Sequence, residues 1–224
     1  MKLKNLVYLP VFLVSFNASA ALESRLGGQA VYDTDRNITW LADANAAIGS
    51  VYDNNAQDGR LDWFNATAWV STLNVSGITG WRLPTTLIPD ASCGMDTSST
   101  TSSFDCTGSE MGHLFYEELG GQSGQSIAVG HNANYDLFQN VMTGSAYWSG
   151  TEYEPNTDQA YYFYFVDGIQ YKQTKGPNFG FHAWAVHDGD VSAIPIPTVG
   201  WLFSIGVLML FGPSKMRAIK NTAK

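Results

Sequence analysis

The last thirty residues constrain the fold most, because their sequence pattern is that of a membrane-associated segment, which does not belong to the packed core of a soluble domain. Pro195 and Pro197 precede an unbroken apolar run from Val199 to Phe211, and a basic cluster follows it: Lys215, Arg217, Lys220 and Lys224. A proline break, a short apolar helix and a basic end are typical of a membrane-associated tail whose C-terminus is cytoplasmic. Thirteen helical residues rise about 20 Å, less than the ~30 Å hydrocarbon core, so a spanning helix would have to begin near Ile194.

The N-terminus predicts export as well. Lys2 and Lys4 precede an apolar stretch from Leu6 to Phe16, and Ala18-Ser19-Ala20 has the small residues that signal peptidase requires. We therefore predict a signal peptide over residues 1–20 with cleavage after Ala20, a domain over residues 21–192, and a separate C-terminal segment over residues 193–224. The protein would be exported through the inner membrane, and its mature part would act at the outer surface or outside the cell.

The exported part is strongly acidic. The two predicted ends contain six of the 12 Lys and Arg residues and none of the 20 Asp and Glu residues. The region between them thus carries six basic and twenty acidic side chains, a formal net charge of −14. So acidic a domain does not bind nucleic acid or an anionic membrane through a basic patch. A divalent cation such as calcium, or a neutral ligand, is the more suitable partner.

The chain contains two cysteines, Cys93 and Cys106, and both lie in the exported part. An even number of cysteines in an oxidising compartment favours a disulfide. This disulfide would close a loop of mostly Ser, Thr and Asp residues and would stabilise the fold by about 3 kcal/mol. A metal pair or a redox pair would need closer spacing and further ligands.

The first elements of the domain form a predicted hairpin. Two short apolar runs, Ala30-Val31-Tyr32 and Ile38–Leu41, flank a polar turn from Asp33 to Asn37. This turn begins like a calcium loop, but Ile38 and Ala44 stand where an EF-hand requires Gly and Glu. We interpret it as a hairpin turn.

Helices in the first half and antiparallel strands in the second half predict an α+β fold. Asp62 is a suitable N-cap for a helix from Trp63 to about Leu73, whose apolar residues repeat at helical spacing. A second helix is predicted to begin near Ser109, with Met111, Leu114, Phe115 and Leu119 on its inner side. Four later strands are predicted at residues 146–149, 160–166, 169–173 and 181–187.

Four blocks occur in a defined order over residues 29–190: Trp81-Arg82-Leu83-Pro84-Thr85, Ser109–Phe115, Tyr147–Glu152 and Ala183-Trp184-Ala185-Val186. Together they resemble the Lcl C-terminal domain family, a bacterial extracellular domain of largely unknown function. The resemblance implies a C-type-lectin-like fold in which the first and last strands pair, and adhesive or polysaccharide-binding behaviour. Family members often follow Ala-Trp-Ala-Val with Arg and Pro, where this chain has His187 and Asp188.

The tail resembles a second pattern, the proline-containing (PEP-CTERM-like) sorting signals that exosortases process in Gram-negative bacteria. Ile194-Pro195-Ile196-Pro197 followed by Val199–Phe203 is similar to the Val-Pro-Leu-Pro variant of that signal. The resemblance implies cleavage near Pro195 and Pro197 by an exosortase, which with signal peptidase would be a processing partner. The usual glutamate of the signal is missing, and a permanent inner-membrane anchor is the alternative.

Glu154-Pro155-Asn156 is the strongest candidate ligand site. In sugar-binding C-type lectins such a tripeptide supplies calcium ligands, and Glu152 and Asp158 lie close enough in sequence to add further oxygens. Those lectins also need a later Trp-Asn-Asp, which this chain lacks, so a polar surface turn is the alternative. The segment from Asp53 to Gly59 is similarly rich in oxygen ligands.

Five consecutive aromatic residues run from Tyr161 to Phe165. Strand alternation places Tyr161, Phe163 and Phe165 on one face, which predicts core packing, and Tyr162 and Tyr164 on the other. The two tyrosines are candidates for stacking against sugar rings. Packing in a second layer is the alternative.

Two further groups are less specific. Glu110, His113 and Glu117 share one face of the predicted second helix and could reach one metal ion, but we prefer a solvated helix face with a favourable acidic first turn as the interpretation. Arg82 is one of the six basic residues of the exported part. We interpret it as a structural hub for buried carboxylates or carbonyls.

These features together predict a secreted or surface-associated, non-catalytic protein that binds extracellular polysaccharide, in a matrix or biofilm. The first alternative is a structural surface protein without a sugar site. The second is an enzyme of the formylglycine-generating type, because the Arg82–Thr85 block also resembles a segment of those oxidases. The formylglycine-generating oxidases need reactive cysteines late in the chain, whereas in this chain both cysteines lie in the middle.

Overall fold

The computed structural model describes residues 21–53, 58–94 and 103–192. These residues form two antiparallel sheets and a few short helices, so the α+β prediction is confirmed. The predicted signal peptide, the C-terminal apolar helix and the processing positions Ala20, Pro195 and Pro197 lie outside the described residues. Among the helices within those ranges, none combines the length and the apolar character needed to cross a membrane.

The first sheet has four antiparallel strands in the order β1-β2-β3-β7: β1 (Leu22–Arg25), β2 (Ala30–Asp33), β3 (Ile38–Leu41) and β7 (Val186–Asp188). β2 and β3 are the predicted hairpin. In its turn, Oδ1 of Asp33 accepts hydrogen bonds from the backbone N–H groups of Asp35 and Arg36 at 3.0 and 2.9 Å. An Asp that bonds the backbone ahead of it holds such a turn closed. The sequence pattern does not indicate β1, because Leu22 is its one buried apolar residue.

The last strand pairs with the third strand and not with the first, so the pairing implied by the family resemblance is wrong. Val186 lies opposite Trp40, and Asp188 lies opposite Ile38. The four residues of β3 are buried, which suits a strand with a neighbour on each side, whereas β1 forms the sheet edge. Arg25 Nε and Asp190 Oδ1, 2.7 Å apart, nevertheless bring the two ends of the domain together.

The second sheet contains three antiparallel strands, β4 (Ala146–Glu152), β5 (Gln159–Tyr164) and β6 (Gln170–Thr174). The strands predicted at 146–149, 160–166 and 169–173 are therefore confirmed, with small shifts in their ends. Between β5 and β6 the chain turns through Gly168, whose φ of +84° is readily available to glycine alone. The predicted alternation is also confirmed, since Tyr161, Phe163 and Phe165 are buried and Tyr162 and Tyr164 are half-buried.

The predicted strand over residues 181–187 is wrong in extent, because the chain crosses from one sheet to the other there. Phe181 exchanges backbone hydrogen bonds with Leu61, and His182 bonds the backbone of β4. Trp184, between these contacts and β7, is fully buried. Its ring lies against Trp40 of the first sheet and Tyr147 of the second, with ring centroids 5.4 and 5.1 Å away. The segment from Phe181 to His187 therefore contacts the second sheet first and then joins the first sheet at β7, with Trp184 buried between the two sheets.

Both predicted helices are confirmed, and the second contains a local irregularity. α1 (Trp63–Thr72) begins at Asp62, whose side chain accepts from the Asn65 N–H at 2.8 Å. α2 (Glu110–His113) continues directly into a wider π-helical turn, Leu114–Glu118. The shorter elements are a one-turn helix α3 (Ile127–Gly130) and the 3₁₀ turns Leu26–Gly28 and Ala133–Leu137.

The predicted disulfide between Cys93 and Cys106 is confirmed. Cys106 is fully buried, and Asp90 organises the backbone beside it. The Asp90 carboxylate accepts hydrogen bonds from the backbone N–H groups of Ser92 and Ser109, both at 3.0 Å. The staple therefore joins the start of α2 to the segment that follows the Trp81–Thr85 block.

Buried His182 makes stability depend on pH. It is 2 % exposed, and Nδ1 lies 2.9 Å from Oδ1 of Asn45. Burial, with a smaller effect of Arg60, lowers the pKa of His182 from 6.5 to about 4. The unfolded chain therefore takes up this proton at a higher pH than the folded chain does. The contribution of His182 to stability is complete above pH 6.5 and falls by about 3 kcal/mol as the pH decreases to 4.

The measurement is the free energy of unfolding in urea between pH 4 and pH 7. His182→Gln retains an amide toward Asn45 and should remove the His182 contribution, so that the free energy of unfolding of the variant relative to the wild type changes by about 3 kcal/mol over this interval. His131→Gln, at an exposed position, is the control and should keep the wild-type slope. Equal slopes for the wild type and His182→Gln would contradict the assignment.

Candidate functional site

An open groove lies between α1 and the Trp81–Thr85 block, with a cavity volume of about 320 Å³. Buried apolar side chains form its floor: Trp63, Val70, Trp81 and Leu83. Polar side chains form its rim: Thr67, Ser71, Arg82 and Thr85. Ligand sites in proteins commonly combine an apolar floor with a few polar groups, and this volume is at the lower end of their range.

Hydrogen bonds hold the two tryptophans of the floor. The indole N–H of Trp63 donates to the Ser149 carbonyl at 2.8 Å, and that of Trp81 donates to the Ile78 carbonyl at 3.1 Å. Because these N–H groups have partners within the protein, each ring offers the groove an apolar surface.

Helical periodicity places two hydroxyl groups on the rim. Thr67 and Ser71 are four residues apart on the exposed side of α1. Each hydroxyl donates to a helix carbonyl, that of Thr67 to Trp63 at 2.9 Å and that of Ser71 to Ala68 at 2.7 Å. A hydroxyl that donates retains lone pairs for accepting a further hydrogen bond. The i, i+4 spacing was available from the sequence, but without the neighbouring block it did not indicate a site.

Arg82 is a structural hub, as predicted. Its two terminal nitrogens contact both carboxylate oxygens of Glu110 at 2.8 and 2.7 Å, and Nε donates to Asp188 at 3.0 Å. Burial alone would lower the pKa of Arg82, but the bonds to Glu110 and Asp188 raise it above its ordinary value. The bond to Arg82 in turn lowers the pKa of Asp188. The guanidinium therefore forms one wall of the groove with its charge already compensated.

His187 and Asp188, which stand where family members often have Arg and Pro, both contact residues of the groove. Asp188 supplies the second carboxylate to Arg82, with Oδ1 and Nη2 2.6 Å apart. The His187 ring lies edge-on to Trp81, with the ring centroids 5.7 Å apart. Both residues thus support side chains that line the groove.

The predicted calcium ligands lie in and beside the β4–β5 hairpin loop, and the structure does not gather them around one point. Glu152 is paired with Lys175, whose Nζ lies 2.9 Å from Oε1. Glu154, Asn156 and Asp158 are exposed, and Asn156 Oδ1 accepts from the Asp158 N–H at 3.1 Å. Among the described residues, groups of three close His, Cys, Asp or Glu ligands occur at two other places.

The tyrosines predicted to stack against sugar lie in β5, Tyr162 within the strand and Tyr164 at the end that is far from that loop. Tyr162 packs against Phe181 with the ring centroids 4.6 Å apart, and it lies opposite Trp148 and Tyr171 on the neighbouring strands. Burial raises the pKa of Tyr162 to about 12. Tyr164 contacts Tyr162 at a centroid distance of 6.3 Å. These contacts correspond to the second-layer packing considered as the alternative.

The oxygen-rich segment from Asp53 to Gly59 is described only at its ends. Oδ2 of Asp53 accepts from the backbone N–H groups of Gly49 and Gly59 at 3.0 and 3.1 Å. Residues 54–57 lie outside the described ranges, so cation binding at this segment stays a prediction.

The proposed metal face of Glu110, His113 and Glu117 is wrong, because these three side chains do not converge. Glu110 binds Arg82, and Glu117 is exposed. His113 instead faces Glu118, with Nε2 and Oε1 3.2 Å apart. A π-helical turn takes more residues than an α-helical turn, and it therefore places position i+5 beside position i. The sequence did not signal this irregularity, so helical spacing placed Glu117, and not Glu118, on the face of His113.

Asp33 completes a buried cluster with His113 and Glu118. Its Oδ2 lies 3.7 Å from His113 Nε2, and the residue is fully buried. Burial raises the pKa of Glu118 to about 7 and also raises that of Asp33, whereas burial lowers the pKa of His113. The β2–β3 turn and the π-helical turn thus bring together three ionisable groups from two regions far apart in sequence.

These features define a disulfide-stapled α+β domain with an open groove and a buried carboxylate–imidazole cluster. The chain belongs to the Lcl C-terminal domain family, whose profile matches residues 29–187. The resemblance found in the four sequence blocks is therefore confirmed. No curated protein and no solved structure gives a significant match to this chain.

Proposed function

We propose that this protein is an exported, non-catalytic binding protein for extracellular polysaccharide, and that the groove between α1 and the Trp81–Thr85 block receives the glycan. One observation carries the proposal: an open cavity of about 320 Å³ combines two tryptophans in its floor with hydroxyl groups on its rim. Sugar rings present apolar faces and hydroxyl edges, which match such a floor and such a rim.

The expected ligand is a neutral glycan. The region between the two predicted ends has a formal net charge of −14, which repels sulfated or uronic polymers. Arg82, the one basic side chain that lines the groove, is paired with Glu110 and Asp188. An anionic polymer would therefore need a bridging cation, for which Glu152, Glu154, Asn156 and Asp158 remain the proposed calcium ligands.

Export and sorting belong to the same proposal. Signal peptidase would cleave after Ala20, the tail would rest in the inner membrane, and an exosortase would act near Pro195 and Pro197. The Cys93–Cys106 disulfide supports a compartment outside the cytoplasm, because cytosolic proteins seldom keep such bonds. Two antiparallel sheets with two main helices support a C-type-lectin-like description of the fold, although β7 pairs with β3.

A glycan array probed with the full chain, with calcium and then with chelator, tests binding. Ser71→Phe places a large side chain at an exposed rim position, and it should weaken binding about tenfold or more by blocking the groove. Thr72→Phe is the matched control, since Thr72 is the exposed neighbour outside the groove lining, and its hydroxyl donates to Trp69 as that of Ser71 does to Ala68. It should bind like the wild type.

Two results would count against the groove. Equal affinities of the Ser71→Phe and Thr72→Phe variants would place the glycan elsewhere. Loss of binding in a Glu154→Ala, Asn156→Ala double variant, together with dependence on calcium, would move the site to the β4–β5 loop. Absence of binding to every neutral and anionic glycan would remove the proposal as a whole.

A structural surface or matrix protein without a sugar site is the second candidate. It is favoured by the packing of Tyr162 against Phe181 and by the exposed, dispersed carboxylates of the β4–β5 loop. Enzymatic activity of the formylglycine-generating type is disfavoured in this proposal, because both cysteines are joined to each other.

A further inference from the structure

Two regions of the domain, the β2–β3 hairpin and the helical segment from Glu110 to Glu118, place three ligand atoms close together in its interior. Asp33 comes from the β2–β3 turn, His113 from the end of α2 and Glu118 from the end of the π-helical turn. Nε2 of His113 lies 3.2 Å from Oε1 of Glu118 and 3.7 Å from Oδ2 of Asp33, and all three ligand atoms lie within 4.8 Å of one another. Ligands about 2.0–2.2 Å from a tetrahedral metal ion lie roughly 3.3–3.6 Å apart, so these two distances lie within about 0.1 Å of the range for a common ion.

The cluster contains buried polar atoms without a hydrogen bond. Oδ2 of Asp33 and Nε2 of His113 have no hydrogen-bond partner among the described residues, although Asp33 is fully buried and His113 is 9 % exposed. The other oxygen of Asp33 is occupied by the hairpin turn, where it accepts from Asp35 and Arg36. Buried polar atoms are nearly always satisfied in native proteins, so two such atoms 3.7 Å apart point to a ligand between them.

We propose that Asp33, His113 and Glu118 bind one divalent transition-metal ion, and that zinc is the best fit. One imidazole and two carboxylates are ligands typical of zinc and its neighbours in the first transition row. Calcium fits poorly, because it takes six to eight oxygen ligands and this cluster offers one nitrogen and two carboxylates. The second group of potential ligands, Asp90 with Cys93 and Cys106, is excluded because its two sulfurs form the disulfide.

Local charge also favours a dication. Asp33, Asp35 and Glu117 add negative potential at the imidazole of His113, against the positive potential of Arg36. The nearby guanidinium of Arg36 is directed to the carbonyl oxygens of Thr107 and Gly108. Removal of two carboxylates from water without a counter-ion is costly, and a bound metal ion is the strongest local compensation a protein uses.

The ion would connect the first sheet to the helix that supports the groove. Glu110, which holds Arg82, and His113 lie on the same turn of α2. A metal bond from His113 to Asp33 would therefore fasten this turn to the β2–β3 hairpin. This role does not depend on the identity of a glycan, and the site is separate from the groove lining.

The test uses the untagged full chain, freed of metal with a chelator and then titrated with Zn²⁺, Mn²⁺, Co²⁺ or Ca²⁺ alone. We expect one Zn²⁺ per chain by equilibrium dialysis, and a rise in Tm of roughly 5–10 °C at a hundredfold excess over the dissociation constant. Co²⁺ should produce visible absorption bands of a low-symmetry site. Ca²⁺ should not displace the bound Zn²⁺, and any rise in Tm with Ca²⁺ should be the same in the wild type and in Glu118→Gln.

Matched variants of adjacent residues make the result specific. Glu118→Gln should abolish the metal-dependent rise in Tm, whereas Glu117→Gln, at the neighbouring exposed position, should retain it. Asp33→Asn keeps an oxygen for the hairpin turn and provides a second test if Glu118→Gln folds poorly. The proposal is overturned if no metal binds the wild type, if Glu117→Gln and Glu118→Gln respond alike, or if Ca²⁺ replaces Zn²⁺. If no metal binds the wild type, a proton shared among the three side chains would explain how the buried cluster is stable.

Discussion

Replacement of Gly112 by alanine is expected to destabilise the domain by about 3 kcal/mol or more. Gly112 lies in α2, where an added Cβ would overlap the carbonyl oxygen of Cys106 and lie 2.8 Å from its carbonyl carbon. This neighbour is backbone, and it belongs to a fully buried residue held by the disulfide. The helix and the staple would have to separate, and His113 and Leu114 would move with them.

Urea denaturation followed by tryptophan fluorescence measures this effect. Gly130→Ala is the control, because Gly130 also lies in a helix and its added Cβ would meet only Gln125 Oε1 at 3.7 Å. That variant should unfold within about 1 kcal/mol of the wild type. If both variants were equally stable, the close approach of α2 to Cys106 would not be present in solution.

Arg82→Met should cost about 3–5 kcal/mol, the second large effect. The methionine retains apolar volume but leaves Glu110, whose side chain is 13 % exposed, without its bidentate partner. Truncation of one partner of a buried ion pair leaves the other charge desolvated, and this is the source of the cost. Glu110 also accepts the Thr85 N–H at 2.7 Å, so the whole Trp81–Thr85 wall of the groove would loosen.

Arg25→Met provides the comparison for Arg82. Arg25 also binds two carboxylates, Glu23 and Asp190, but their side chains are 39 and 31 % exposed. Such a surface pair contributes only about 0–1 kcal/mol, because water and salt screen it. The difference between the two variants should persist in 0.5 M salt. Similar losses of stability in both would show that Arg82 is a surface pair and not a hub.

Local elements of this domain were predictable, because neighbouring residues determine them. The cap at Asp62, the apolar spacing along α1 and the alternation from Tyr161 to Phe165 act over a few residues, and all three were confirmed. The disulfide was predictable from the number of cysteines and the expected compartment. In contrast, β1 and α3 were missed, because each is four residues long, too short to show the apolar period of a strand or a helix.

The candidate sites were much less predictable. Glu154 and Asn156 were selected as a tripeptide, but the structure leaves them exposed in a loop. The groove combines α1 with the Trp81–Thr85 block, and the metal cluster combines residue 33 with residues 113 and 118. Sequence spacing does not report such distant contacts.

The sequence by itself determined the acidic charge, the fold class, the family and the approximate positions of α1, α2 and the strands β2 to β6. These properties depend on composition or on contacts within one or two turns. Only the tertiary structure decided that the last strand joins β3, that Arg82 meets both Glu110 and Asp188, and that Glu118 rather than Glu117 faces His113. The physical reason is that burial of Trp184 between the sheets and a single π-helical turn set these positions, and both depend on packing across the whole domain.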